Sequence, residues 1–237
     1  AGRRAVFAAE RAYQKKLPWK MRLRRTAYFL HRLFSKKELW IVSDRFDAAG
    51  DNGEAFFSYL QKHRPKNTRV YFAIEKSSPD YPRLKKIGKV LDKNSRKYRF
   101  YRIYADKIIS AHLDTTLCFN FEKNVFSDLL ARQTVVFLQH GIIKDDLSSV
   151  YSRFSRKIDL FVTSARAEYE SIVGTPNYAC DASVVKMTGL PRYDKLENKR
   201  EKLISVVPTW RKYCTYLAGG ESKITADFTE CAYFRFY

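Results

Sequence analysis

The apolar run Thr134-Val-Val-Phe-Leu-Gln ends in His140 and Gly141, and Lys144-Asp145-Asp146 follow three residues later. A strand that ends this way delivers an imidazole to its C-terminal tip, where ligands sit in open α/β sheets. Gly141 would allow a sharp turn there. With an ordinary pKa near 6.5, an imidazole so placed suits removal of a hydroxyl proton at neutral pH. Spacing alone leaves a second reading open, in which His140 hydrogen-bonds a loop and does no chemistry.

Three further stretches carry polar groups at predicted strand ends. In the first, Ser43-Asp44-Arg45 precedes Asp51-Asn52-Gly53-Glu54. Asp51 and Glu54 have the spacing of a capping box that opens a helix, and Arg45 is a candidate phosphate contact. In the second, Thr188-Gly189-Leu-Pro-Arg192-Tyr-Asp194 reads as a turn with Asp194 capping the next helix; Arg192 would face a cleft. In the third, Pro208-Thr209-Trp210-Arg211 directly follows an apolar run. A guanidinium there can clamp pyrophosphate oxygens, or it can be ion-paired beside a buried Trp.

Several chemistries have no motif here. There is no GxGxxG after a strand, no GxxxxGK[ST] loop and no GxSxG elbow. Cys118, Cys180, Cys214 and Cys231 are far apart in sequence and have no metal-ligand spacing, so reduced thiols are expected, with no metal and no bound cofactor. No RNA-recognition or zinc-finger signature accompanies the positive charge, and nucleic acid is not the expected partner.

The elements that must position these groups read as an α/β fold. Strands are predicted at 39–43, 70–74, 107–111, 134–139, 159–163, 184–187 and 203–207. Helices are predicted at 51–63, 81–86, 95–104, 125–131, 165–173 and 194–201. Short, continuously apolar strands separated by helices imply a mostly parallel sheet covered on both faces. A boundary is expected in the charged segment near 195–202. The organisation is then a basic helical segment over 1–38, a main domain over 39–200, and over 201–237 the start of a second α/β domain. The abrupt end at Tyr237 suggests a piece of a longer protein.

The formal net charge is +20, from 45 basic and 25 acidic residues. Such an excess favours a polyanionic partner: anionic lipid, nucleic acid or a phosphate-rich substrate. Residues 1–39 alone hold twelve Lys or Arg against two Glu. Within them, 17–35 reads as an amphipathic helix, with Trp19, Leu23, Ala27, Leu30 and Phe34 on one stripe and arginines opposite. That stripe either docks on the protein's own core or lies in a membrane interface, its cations on anionic head groups. No apolar run reaches the roughly 18–20 residues needed to span a bilayer.

In their order, several of these stretches resemble the CDP-glycerol glycerophosphotransferase family. The residues that carry the likeness are Trp40–Arg45, Asp51–Glu54, Ile109–His112, Leu138–Asp146, Asp159–Ser164, Glu168-Tyr169, Thr188–Leu196 and Pro208–Arg211. The resemblance implies a GT-B architecture of two Rossmann-like domains, the second incomplete here. It implies transfer of glycerol phosphate from CDP-glycerol to a lipid-linked polyol-phosphate or glycan acceptor, with release of CMP, at the cytoplasmic face of the cell membrane. His140 would be the base, with Asp145 or Asp146 orienting it. Arg45, Asp51, Asn52, Gly141, Lys144, Ser164, Glu168, Gly189, Arg192, Thr209 and Arg211 would contact substrate. The family's second histidine lies further along than this sequence reaches, so the polypeptide alone is expected to be weakly active or inactive. Two readings compete: a related GT-B transferase using CDP-ribitol or a nucleotide sugar, and a basic module that binds membrane or polyanion without catalysis.

Overall fold

A computed structural model describes residues 18–113, 126–153, 156–198, 215–218 and 221–224. The chain divides into two compact units, 1–196 and 197–237. The first unit is built on strands β1 (Glu38–Ser43), β2 (Thr68–Ile74), β3 (Val90–Asp92), β4 (Lys107–Ser110), β5 (Thr134–Phe137), β6 (Leu160–Thr163) and β7 (Val185–Met187). They form one parallel sheet in the order β3-β2-β1-β4-β5-β6-β7.

Both faces of the sheet are covered, which is why the strands are apolar without alternation. One layer packs Ile41, Tyr71, Ile108, Val135 and Phe161 with the rings of Tyr98 and Tyr104. The other packs Val42, Phe72, Ile109 and Val162 against Phe57, Leu60 and Leu84. The covering helices are α2 (Asn52–Lys62), α3 (Tyr81–Ile87), α4 (Arg96–Tyr104) and α7 (Arg166–Gly174), with two short ones, α5 (Ser127–Leu130) and α6 (Ser148–Tyr151).

The strand order turns at β1. From there the chain builds outward through β2 and β3, then returns to add β4 on the other side. That reversal opens a crevice between the C-terminal tips of β1 and β4, the place where open α/β sheets bind ligands. Ser43 and Ser110 meet across it, Oγ to Oγ, at 3.0 Å.

The N-terminal helix, α1 (Trp19–Phe34), docks through its polar side. Arg25 is buried and grips Asp128 with two hydrogen bonds of 2.7 and 2.5 Å. Tyr28 packs against Tyr104, and Arg32 pairs with Asp106. Trp19, Leu23, Leu30 and Phe34, the apolar stripe, are instead 69%, 61%, 50% and 80% exposed. The stripe therefore does not dock on this unit's own core. Among the described residues, no helix is long and apolar enough to cross a membrane.

Three expectations are corrected. Strand β3 lies where none was predicted: it is a three-residue strand that, among the described residues, pairs with β2 at the sheet edge. Strand β5 stops at Phe137 rather than 139, because Gln139 takes a left-handed φ of 63° that no strand accommodates. No helix begins at Asp194, since Pro191–Lys195 is a 3-10 turn that contains Asp194 and ends at an extended Leu196. In the second unit the described residues form an antiparallel pair, β8 (Thr215–Ala218) with β9 (Glu221–Ile224). The strand expected at 203–207 lies outside the described residues.

Candidate functional site

Asp44, at the tip of β1, is 2% exposed and accepts backbone N–H bonds from Asp51, Gly53 and Glu54 at 3.0, 2.7 and 3.1 Å. One carboxylate thus satisfies N–H groups at the start of α2 that have no partner within the helix. The contact is close enough to require glycine at 53. A Cβ there would stand 2.3 Å from the Ser43 carbonyl oxygen and 2.5 Å from Asp44 Oδ1. The expected reciprocal capping box is not formed. Asp51 caps only the Asn52 N–H, and Glu54 turns away to take a two-pronged pair from Arg83. Asp44 already holds the amides the box would have served. Burial pushes the Asp44 carboxyl up to about 6, despite the three N–H bonds.

A second carboxylate ties the tips of β5 and β6. Glu168, 3% exposed, accepts from Gln139 Nε2 at 2.9 Å, Ile143 N at 2.8 Å and Ser164 N at 2.9 Å. Gln139 is held in its left-handed conformation by that bond. Its carbonyl accepts from Asn52 Nδ2 at 2.6 Å. Asn52, fully buried, also accepts the Arg192 N–H at 3.1 Å. The loops after β1, β5 and β7 are therefore joined through one side chain. The sharp turn expected at Gly141 is made at Gln139 instead; Gly141 is not left-handed, and a Cβ there would meet nothing within 4 Å.

On this frame His140 remains exposed beside the crevice. Its ring stacks on that of His112, from the tip of β4, with centroids 4.6 Å apart and 14° between planes. His112 Nε2 lies 3.4 Å from Asp51 Oδ2. The other oxygen of Asp51 pairs with Arg192 at 2.6 Å, and the same guanidinium nitrogen donates to the His140 carbonyl at 2.7 Å.

Partial burial lowers the His140 pKa, and the neighbouring His112 and Arg192 lower it further; Asp51 and the Ala111 backbone oppose them and lose. Burial pushes Asp51 up, but its hydrogen bonds to His112, the Asn52 N–H and Arg192 outweigh that and leave its carboxyl below the ordinary range. The result is an accessible, neutral imidazole at pH 7, fixed from behind and flanked by a guanidinium. Such a group can accept a proton from a bound hydroxyl.

Of the sequence candidates, His140, Asp51, Asn52 and Arg192 come together here. Glu168 and Ser164 join the supporting frame. Gly189, with φ of 81°, forms the turn that leads to Arg192. Asp146 caps the Ser148 N–H at 2.8 Å, while Asp145 and Lys144 are exposed on the following loop. Arg45 is exposed 3.6 Å from Asp47. Thr209 and Arg211 lie outside the described residues. His112, Asp44 and Gln139 were not among the candidates. A signal for His112 was present, since it follows the apolar run Lys107–Ser110 much as His140 follows Thr134–Phe137.

Comparison with known proteins decides the family: a sequence model described as CDP-glycerol:poly(glycerophosphate) glycerophosphotransferase matches residues 25–233. The chain belongs to that family. Within it, the chain is 38% identical over 192 residues to the minor teichoic acid biosynthesis protein GgaB of Bacillus subtilis (strain 168). That match covers 79% of this chain and 21% of GgaB, so the chain spans about a fifth of the length of this relative. Among solved structures it is similar to the wall teichoic acid polymerase TagF soaked with CDPG, with a TM-score of 0.50 at 17% identity, over 85% of this chain and 59% of that one. The likeness to TagF shows the fold, a GT-B-like α/β architecture that the seven-stranded parallel sheet matches.

Proposed function

We propose that this chain carries the proton-accepting side of a transferase that moves glycerol phosphate from CDP-glycerol to a teichoic-acid-like acceptor. In this reading a hydroxyl at the acceptor's end attacks the β-phosphorus of CDP-glycerol. The new P–O bond forms as the bond to the bridging oxygen breaks, CMP leaves with that electron pair, and the hydroxyl proton passes to His140. Arg192 holds the His140 backbone and adds positive charge beside the reacting phosphate. His112 and Asp51 position the imidazole and do not react.

The observation that carries the reading is the exposed His140 ring at the β1/β4 crevice, backed by His112 at 4.6 Å and with a pKa held below its ordinary value. Membership of the glycerophosphotransferase family and the likeness to GgaB support the donor and the acceptor class. For attachment we propose the membrane surface, with the exposed face of α1 lying in the interface. Trp19, Leu23, Leu30, Leu33 and Phe34 would enter the acyl boundary while flanking arginines meet anionic head groups.

The test follows CMP release from CDP-glycerol in the presence of a glycerol-phosphate-primed lipid acceptor, using the polypeptide that carries this segment. The reading expects acceptor-dependent CMP release that His140→Ala abolishes while vesicle binding persists. CDP-ribitol used in preference to CDP-glycerol would assign the chain to a related transferase. Vesicle binding with no transfer from any donor would leave a binding module.

A further inference from the structure

A cavity of about 530 Å³ opens between α1 and α4, on the face of the sheet that α1 covers. Four arginines line it: Arg24 from α1, and Arg96, Arg99 and Arg102 from α4. Its apolar wall includes Phe100 and Leu130, and among the described residues no acidic side chain lines it. The carboxylates on adjoining segments, Asp106 and Asp128, are taken by Arg32 and Arg25. Among the described residues, Arg24 and Arg96 have no carboxylate at ion-pair distance.

The guanidinium groups of Arg24, Arg96 and Arg99 over an apolar wall suit a ligand whose anionic head takes several hydrogen bonds and whose body is hydrocarbon. Guanidinium groups match phosphate oxygens with paired N–H donors, whereas a purely electrostatic surface patch needs no cavity. The surroundings favour the hydrocarbon end as well. Phe100 is 45% exposed at the cavity, and Leu23, next to Arg24 in sequence, is 61% exposed.

We infer that this cavity is a binding site for the phosphate-bearing head group of a membrane lipid. The inference rests on the proposal that the apolar face of α1 lies in the membrane interface. It adds a defined lipid site on the same side as that face and separate from His140. α1 then has two functions: its apolar face enters the interface, and its Arg24 closes the site over one lipid phosphate.

The probe is dihexanoylphosphatidylglycerol below its micelle concentration, titrated calorimetrically into the full chain, so that no charged surface is present. The exposed pair Arg24 and Arg99 is changed together to Gln. A charge-matched control changes Lys20 and Arg22, on the same helix but outside the cavity, to Gln. Thermal melts check that each variant folds, and Arg96→Gln serves as a second cavity variant.

Wild type should bind the monomeric lipid. The cavity variants should bind it about tenfold or more weakly, and the control within about twofold, since paired charge-assisted bonds act at close range. Equal losses in cavity and control variants, or no binding by wild type, would overturn the proposal. So would inorganic phosphate displacing the lipid at equal concentration, which would make the site one for free phosphate.

Co-sedimentation with phosphatidylglycerol/phosphatidylcholine vesicles separates this proposal from the reading it rests on. Vesicle binding without binding of the monomeric lipid sinks the cavity site alone. Arginine-dependent binding of the monomer without vesicle binding sinks the membrane reading and leaves the cavity site standing.

Discussion

The imidazoles of His140 and His112 lie face to face, 4.6 Å apart and 14° from parallel, at the tips of two adjacent strands. A charge on His112 disfavours protonation of His140, because two protonated rings at that separation repel. The arrangement favours a neutral His140 at physiological pH, the state a proton acceptor needs.

His112→Phe keeps a flat ring under His140, and with it the burial that is the main cause of the lowered pKa, but removes the like charge that lowers it further. The His140 pKa should rise toward its ordinary value near 6.5. A base works only when deprotonated, so the acid limb of the kcat/KM profile should move to higher pH. The rate near pH 6 should fall while the rate near pH 8 stays close to wild type. An unmoved limb would mean that His112 has no electrostatic influence on the base.

Arg192→Lys replaces the guanidinium nitrogen that makes both bonds by an ammonium one bond nearer the backbone, which falls short of both acceptors. The arginine now serves Asp51 and the His140 carbonyl at once. Loss of these two hydrogen bonds should cost about 1 kcal/mol of stability in a denaturant titration. It should also lower kcat more than it raises KM, because His140 loses its fixed position.

Gly53→Ala should destabilise the protein by about 3 kcal/mol, at the upper end of overpacking effects. The added methyl meets the Ser43 carbonyl oxygen at 2.3 Å, a backbone atom that cannot rotate away. A thermal melt within a degree or two of wild type would show that α2 shifts more freely than the Asp44 bonds imply.

Asp44 makes stability depend on pH in an unusual direction for a carboxylate. Its folded-state pKa is raised to about 6, above the ordinary value of 3.8. The folded protein therefore binds the proton more tightly than the unfolded chain. The contribution from this group is fullest below pH 3.8 and is lost as pH rises through about 6. Compared with Asp44→Asn, which does not titrate there, wild type should gain relative stability as pH is lowered from 7 to 4. A widening difference in the opposite sense would show that the three N–H bonds outweigh burial.

The sheet was legible because its strands are continuously apolar and its helices amphipathic; six of the seven strands of the first unit were expected close to their places. Strand β3 was not, since three residues are too few to carry a pattern and its place is set by pairing with β2. The apolar stripe of α1 was legible as a face, but which way it points was not. That depends on Arg25 meeting Asp128 more than 100 residues away. At the site, His140 and Arg192 could be picked out from strand ends and turns. The partners that fix them could not: Asn52 joins three loops, and Gln139 leaves the strand only because Glu168 and Asn52 hold it. Asp44 was read as part of a loop, although it does the work assigned to a capping box. Such roles arise from contacts between distant segments, and no local spacing reports them.

The most direct measurement is the pH–rate profile of glycerol phosphate transfer for wild type and His140→Gln, with both proteins shown to be folded. The account predicts a wild-type acid limb below pH 6.5 and a loss of about a hundredfold or more in kcat for the variant at pH 7.5. A His140→Gln enzyme that turns over within a few fold of wild type, with the acid limb still in place, would contradict it.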